Sequence, residues 1–547
     1  MTEASPLDPR DRERVLDRLE RESVDCIVIG GGITGAGIAR EAAQRGLSVA
    51  LFETRDFASG SSSRSSKLIH GGLRYLAMGD VALVRATALE RKVIHGLAPH
   101  LAEPRWLLVP ARSRIGVMKL RAGITTYEKL GAVEERDLHR NWGRDELAVE
   151  EPLLERERFA HGVAYREYLT HDARLVLANL RAAAARGAAV LNRARVEEIL
   201  LEGGRAVGAR VRCGLTDRQV RVRGRCVINA AGPWVDAVRR LEDEAAPPRL
   251  HLSKGVHIVL PAERLPVRNM VLLNTEDRRS IFVIPTGAAV YVGTTDTTYE
   301  PGVETWPVIT RADVEYLLAP LARYFTVDPI APEEVAAAWA GLRPLIGEPG
   351  KSPQEISRKD EVWIGPQRLV TIAGGKLTGY RPMAQLTLEK AAEACDLAPA
   401  PPLPEDREPP LPGGDFDGDL DALAARLGRE TGLPAHCTAR LARLYGTEAF
   451  EVAKRDPAPL SEDGALVAGE VEWGVAVEGA AHLRDMLYRR TGAALYEPAA
   501  RDAVVEPIAD RMAALLGWSA ERRDREVAET RQRLEADLTF AESELSL

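Results

Sequence analysis

The sequence predicts an α/β protein that closes with a separate all-α domain, and three observations lead there. A strand, glycine turn, helix and second strand open the chain, apolar β-rich runs recur through its middle, and a proline-rich break precedes residues with helical spacing. At 547 residues the chain is too long for one ordinary core. It divides into a lead-in at 1–24, a first body at 25–396, a linker at 397–419 and a helical domain at 420–547.

The lead-in is densely charged, has no apolar stretch like that of a signal peptide, and is expected to form a solvated helix over Asp11 to Glu22. Asp25 to Glu53 then reads DCIVIGGGITGAGIAREAAQRGLSVALFE. Cys26 to Ile29 suits a buried parallel strand. Gly30, Gly32 and Gly35 form G-x-G-x-x-G, and Ile33 and Thr34 complete that turn. The first glycine allows a tight turn, the second lets backbone approach a pyrophosphate, and the third lets the helix pack closely on the strand. Ala39 and Ala43 continue the close-packed helix face, Gly46 ends the helix, and Leu47 to Phe52 forms the next strand. Glu53 stands 23 residues after Gly30, where an acid binds a ribose 2′-hydroxyl. Such a unit implies a bound dinucleotide, which then supplies the chemistry.

Further along, Val220 to Ala230, His257 to Leu260, Ile281 to Ile284 and Val290 to Gly293 read as strands. Prolines between Leu397 and Asp419 remove backbone donors and favour extended conformers, so that stretch reads as a linker. Beyond it, Leu423, Leu427, Leu441 and Leu444 carry helical spacing. A net charge of −8 leaves no excess positive field for a general nucleic-acid binder. The cysteines (Cys26, Cys213, Cys226, Cys395 and Cys437) are odd in number and lack C-x-x-C spacing, which points to reduced thiols in a cytoplasmic setting and to no metal site. No run of 18 apolar residues is present, so a spanning helix is not expected.

Three stretches carry chemistry. Ser59 to Leu76, SGSSSRSSKLIHGGLRYL, offers hydroxyls and backbone N–H groups for phosphate and ribityl oxygens, while Gly71 and Gly72 allow close approach to a flat ring. CVINAAG, Cys226 to Gly232, and VTIAGG, Val370 to Gly375, each end an apolar strand in a small-residue corner. The second corner runs on through Lys376, Leu377, Thr378, Gly379, Tyr380 and Arg381; a helix beginning there would favour a negative group at its N-terminus.

IGGGITGAGIA from Ile29, SSKLIHGGLRYL from Ser65, DARLVLAN from Asp172, NAAGPWVD from Asn229, KGVHIVLP from Lys254, FVIP from Phe282, GTTD from Gly293, GLRPL from Gly341 and GGKLTGYR from Gly374 together make the chain resemble the FAD-dependent glycerol-3-phosphate dehydrogenases. These are respiratory enzymes that reduce a quinone, with oxidase relatives. The resemblance is strong over Asp25 to Ala394 and weaker through the helical tail, where LPGG and LYRRTG fit. It implies an FAD-binding Rossmann-like domain of glutathione-reductase and D-amino-acid-oxidase type, a β-sheet substrate domain and an all-α C-terminal domain. Two departures stand out: Gly379 replaces a frequent hydroxyl residue, and His171 an acidic one.

The resemblance implies oxidation of sn-glycerol 3-phosphate to dihydroxyacetone phosphate, with hydride passing from C2 to FAD. It assigns Gly30, Gly32, Ile33, Thr34, Gly35, Glu53, Ser61, Ser65, Ser66, Lys67, His70, Gly71, Gly72, Ala231, Gly232, Gly374, Gly375, Lys376, Leu377 and Thr378 to the cofactor. Arg74, Arg343 and Arg381, with Lys376, suit a phosphate dianion, and Tyr75 and His257 are further substrate candidates. His70 is a candidate base, because an imidazole titrates near neutral pH; Arg343 is its rival, and the sequence does not choose between them. Lys376 would stabilise negative charge on the reduced flavin. Arg105 to Lys129 mixes Trp106, Leu107, Leu108, Ile115, Val117, Met118 and Leu120 with basic residues, as a stretch lying on anionic lipid would. The expectation is therefore a peripheral protein on the cytoplasmic face of the plasma membrane, delivering electrons to a quinone, with cap helices offering a homodimer surface. Competing readings are an oxidase using O2, an amino-acid or amine oxidase, a pyridine-nucleotide dehydrogenase and a non-catalytic flavoprotein module.

Overall fold

The computed structural model describes residues 7–71, 81–277, 279–300, 302, 307–347 and 360–542. Val24–Ile29 is the central strand of the first sheet, parallel to Val49–Phe52 on one side and to Gln219–Asn229 on the other. Ala189–Leu191 extends one edge in parallel, Val370–Gly374 the other, and Asp360–Ile364 closes that edge antiparallel. These central strands are apolar on both faces because both faces are covered. Cys26 and Val28 pack on the helices Ile33–Gln44, Asp172–Ala184 and Tyr380–Cys395, while Ile27 and Ile29 face the opposite layer. Close approach needs small residues: a Cβ on Gly37 would lie 2.9 Å from the Tyr380 ring.

The helix Arg12–Arg21 belongs to that opposite layer, which corrects the expectation of a solvated lead-in. Val15, Leu16 and Leu19 are buried, and Arg12 donates to both oxygens of Asn192 at 2.7 and 2.8 Å. Charged residues on its outer face had masked this stripe.

The second sheet is mixed. Leu250–Pro261 pairs antiparallel with Ala289–Gly293 and with Ala337–Ile346; Ser280–Pro285, Met270–Asn274, Glu103–Ala111 and His161–Leu169 continue the sheet. One face packs on Leu317 and Tyr324; the other shares a core with Leu466, Leu487 and Ile508 of the C-terminal domain. The membrane stretch is accordingly corrected in its first half. Arg105 to Leu108 lie in a strand with Leu107 and Leu108 in the core, and Arg166 covers Trp106 at 3.9 Å. Its second half is the helix Arg114–Leu130, where Ile115 and Met118, each 68% exposed, stand beside exposed Arg114, Lys119 and Arg121.

Beyond residue 419 the described chain is helical, from Leu420–Thr431 through Ala520–Ala536. The preceding linker lacks regular structure apart from a short turn at Glu405–Arg407, yet it is not a free tether. The Glu408 carboxylate accepts from Arg40 at 3.1 Å and Arg381 at 2.6 Å, and Leu397 and Leu411 are buried. No helix among the described residues is long and apolar enough to cross a membrane.

Candidate functional site

Parallel register sets the turns after Ile29, Asn229 and Gly374 side by side at the carboxyl ends of their strands, where open α/β sheets bind ligands. Gly30, at φ +113°, occupies backbone space that side chains rarely tolerate, and an added Cβ would lie 2.5 Å from the Ala230 carbonyl oxygen. On Gly35 a Cβ would come within 1.9 Å of the Gly30 carbonyl oxygen. The Gly31 and Arg55 N–H groups donate to the two oxygens of Glu53, each at 2.8 Å. Burial raises the Glu53 carboxyl above its usual range, and those two donors oppose the rise. Ser62 accepts from the Ile33 N–H at 2.9 Å, tying the serine-rich stretch to the start of the helix.

The other two corners close the same groove. Ala230 N–H donates to the Ile29 carbonyl at 2.9 Å, bringing Ala231 and Gly232 beside Gly30. Gly374 and Gly375 both have left-handed φ, and a short turn at Leu377–Gly379 leads into the helix Tyr380–Cys395. The Thr378 hydroxyl accepts from the His70 N–H and donates to the His70 carbonyl, both at 3.2 Å, which fixes His70 against this corner. Its ring lies 6.4 Å from Phe282.

Arg343 reaches the site from the second sheet. Its guanidinium donates to Thr294 Oγ1 at 3.0 Å and Asp296 Oδ1 at 3.2 Å, and it stays 22% exposed. Gly255 makes this path possible, since a Cβ there would lie 2.2 Å from Arg343 Nη2. Ser61 donates to the carbonyl of Leu342 at 2.5 Å, so the serine turn and the arginine strand meet. Lys376 is half-buried at the head of the Leu377–Gly379 turn.

Several predicted site residues make further contacts within the protein. Ser65 donates to Asp172 at 2.7 Å, and the buried Lys67 ammonium donates to Asp172 at 2.9 Å and to the Ser63 carbonyl at 2.8 Å. Burial lowers the Lys67 pKa against the pull of Asp172. His257, 1% exposed, stacks on Trp339 at 4.8 Å and bonds Ser66 at 3.0 Å. Burial, then Arg343 and Lys67, hold it well below the usual histidine range. The ring against Gly71 is that of Tyr127, whose hydroxyl accepts the Gly71 N–H at 3.0 Å. Arg381 is ion-paired with Glu90 and Glu408 and buried. Gly72, Arg74 and Tyr75 lie outside the described residues.

Sequence reasoning missed Ser62, Thr294 and Asp296 as individual residues. The signal for each was present, in the serine run and in GTTD, but only the fold says which hydroxyl or carboxylate is used. Of the two departures, Gly379 has no atom within 4 Å of a built Cβ, so a hydroxyl side chain would fit. His171 lies edge-on to Tyr496 at 5.7 Å; burial, then Lys67, Arg174 and Arg440, keep it neutral.

These residues fit a flavin dinucleotide. Gly30 and Gly35 leave no room for side chains where backbone must approach a ligand, and Glu53 keeps acceptor capacity beyond its two N–H bonds. Gly32, Thr34, Ser61, Gly232, Gly375 and Leu377 stay half-buried along the groove. An open depression of about 440 Å³ lined by Arg112, Arg158, Phe159, Arg323 and Tyr324 contains none of these residues.

Comparison with known proteins identifies the family of this fold. Residues 25–380 match the model of FAD dependent oxidoreductases, and residues 406–523 match the C-terminal domain of alpha-glycerophosphate oxidase. The chain is 37% identical over 519 residues to the aerobic glycerol-3-phosphate dehydrogenase of Staphylococcus haemolyticus, covering 91% of this chain and 93% of the relative. It is 35% identical to that of Bacillus subtilis, covering 92% and 93%. The glycerol-3-phosphate dehydrogenase of Bacillus halodurans, solved with FAD, superposes with a TM-score of 0.79 at 32% identity over 99% of both chains.

Proposed function

The chain belongs to the family of FAD-dependent glycerol-3-phosphate dehydrogenases, and from that premise we propose that it oxidises sn-glycerol 3-phosphate at a membrane surface and delivers the electrons to a quinone. FAD, when bound, accepts the hydride equivalent from C2. The carrying observation is the partly exposed Arg343 guanidinium, held in place by Asp296 and Thr294 where the two sheets meet. A planar donor fixed in this way suits an ester dianion or the polarisation of the reacting hydroxyl. His70, pinned through its own backbone to Thr378, presents an imidazole suited to taking the hydroxyl proton, and Lys376 supplies positive charge at the same corner. Glu53 would hold the ribose, and the glycine turns the pyrophosphate.

The helix Arg114–Leu130 supports the membrane part of the proposal. Ile115 and Met118 project beside basic residues, which is the composition of a helix lying in a headgroup layer. A second reading, O2 as acceptor, is supported by the oxidase named in the C-terminal family match. A homodimer through the helical domain completes the proposal.

One experiment tests both parts. Glycerol 3-phosphate added without oxygen should bleach the flavin band, and amino acids should not. In air, hydrogen peroxide formed per turnover should then collapse when a soluble quinone analogue is added. Stoichiometric peroxide in its presence would favour O2, and no bleaching by glycerol 3-phosphate would end the proposal.

A further inference from the structure

The loop after Glu53 is anchored from the far end of the chain. Asp56, three residues on, is completely buried. Its carboxylate accepts from both terminal nitrogens of Arg490, from Arg489 Nε at 2.5 Å and from Asn192 at 3.0 Å. Both arginines lie in a π-helical turn, Met486–Arg490, of the helical domain. Burial opposes the charged carboxylate, but Arg490 and Arg489 outweigh it and hold Asp56 below the usual carboxylate range. Arg490 is itself fully buried and also donates to the Glu478 carbonyl at 2.7 Å, while Arg489 and Arg193 share Asp485.

Asp56 sits in the covalent and hydrogen-bonded frame of the cofactor turn. Arg55 N–H donates to Glu53, Ala58 N–H donates to the Gly31 carbonyl at 2.9 Å, and Gly31 N–H returns to Glu53. Ala58 takes a left-handed φ of 59°, a conformation that surrounding structure has to hold for a non-glycine residue. Arg193 N–H donates to the Arg55 carbonyl at 2.7 Å from behind. The carboxylate expected to grip the ribose is therefore carried on a loop whose buried counter-charge comes from another domain.

We propose that Arg490 and Arg489 are positioning residues for the cofactor: through Asp56 they set Glu53, so the helical domain controls how tightly the adenosine half of FAD is held. This rests on the reading that Glu53 binds the ribose. It does not require the arginines to touch flavin or substrate.

The test measures FAD release from diluted holoenzyme by flavin fluorescence. Arg490→Lys keeps the charge but loses the two-nitrogen grip, and FAD release should quicken about tenfold. The double variant Asp56→Asn/Arg490→Gln removes that pair's two opposite charges together, leaving Arg489 on Asp485, and should show the same loss even if the single variant folds poorly. With saturating FAD, kcat and the KM for glycerol 3-phosphate should stay within twofold of wild type, because neither residue touches the reacting groups. Arg181→Lys, which joins the same two bodies through Glu448, serves as the control for a loosened joint. Unchanged release in both Asp56-site variants, or equal quickening in Arg181→Lys, would overturn the proposal. Glu53→Gln separates the underlying reading: if it alone leaves release unchanged, the ribose assignment is what fails.

Discussion

The cofactor turn and the joint between the two bodies are both buried and both polar, but they are built by opposite means. In the turn the residues that shape the backbone are neighbours in sequence: Gly30, Gly31, Gly35 and Glu53 fall within two dozen residues. In the joint the determinants are remote charge pairs, Arg490 with Asp56, Arg174 with Glu478 and Arg181 with Glu448. Glycine geometry leaves no alternative residue and is therefore readable as a pattern. A buried ion pair can be written with an arginine and an acid almost anywhere, so its members look like any other charged residues until the chain is folded.

The largest effect should come from the turn. Gly35→Ala puts a Cβ into the Gly30 carbonyl, and the helix cannot retreat without pulling the turn from its strand. We expect FAD affinity to fall at least ~10³-fold, about 4 kcal/mol, read as flavin per polypeptide after purification. Retention of flavin would show the turn to be softer than its contacts suggest. Next, Arg174→Met leaves the fully buried Glu478 without its 2.6 Å partner and should lower stability by about 3–5 kcal/mol in denaturant melts. A loss under about 1 kcal/mol would mean that the joint is held by its apolar surface instead.

Acid should act on the joint more gently. His100 is wedged against Gly413 and Gly446, and burial, then Arg174 and Arg181, lower its pKa to about 3. The folded protein keeps it neutral, whereas the unfolded chain protonates it near pH 6.5. Its contribution is thus complete above about pH 6.5 and is lost as pH falls toward the folded value, at about 1.4 kcal/mol per pH unit. His100→Asn should remove that much of the slope between pH 6.5 and 5; an unchanged slope would assign acid sensitivity to other groups. The smallest effect should be Gly379→Ser, within about 0.5 kcal/mol of wild type, because the added atoms meet open space. A larger loss would show that this corner, too, depends on glycine.

The same contrast explains what could be read in advance. Strand, turn, helix and acid from Cys26 to Glu53 were legible because each position answers a backbone requirement, and the helical tail because leucine spacing survives among charges. Trp106 to Leu108 mislead because an apolar run set between Arg105 and Arg112 imitates a lipid-facing segment; only pairing with Arg166 and its neighbours reveals the sheet. Lys67 and His257 carry the chemistry of site residues, and in the fold they also brace the serine stretch against Asp172 and Ser66. Residue type announces reactivity, but only the fold shows which partner each side chain holds. Asp56 was invisible for the converse reason: nothing near it in sequence marks it as the anchor of Glu53.

The strapped segment between the bodies has one practical outcome. Residues 401–405 are exposed and proline-rich, whereas Glu408 beyond them is pinned by Arg40 and Arg381, and Ala400 before them by Arg45 at 2.5 Å. A protease that clips this bridge would yield two bands on a denaturing gel and still a single particle by size exclusion.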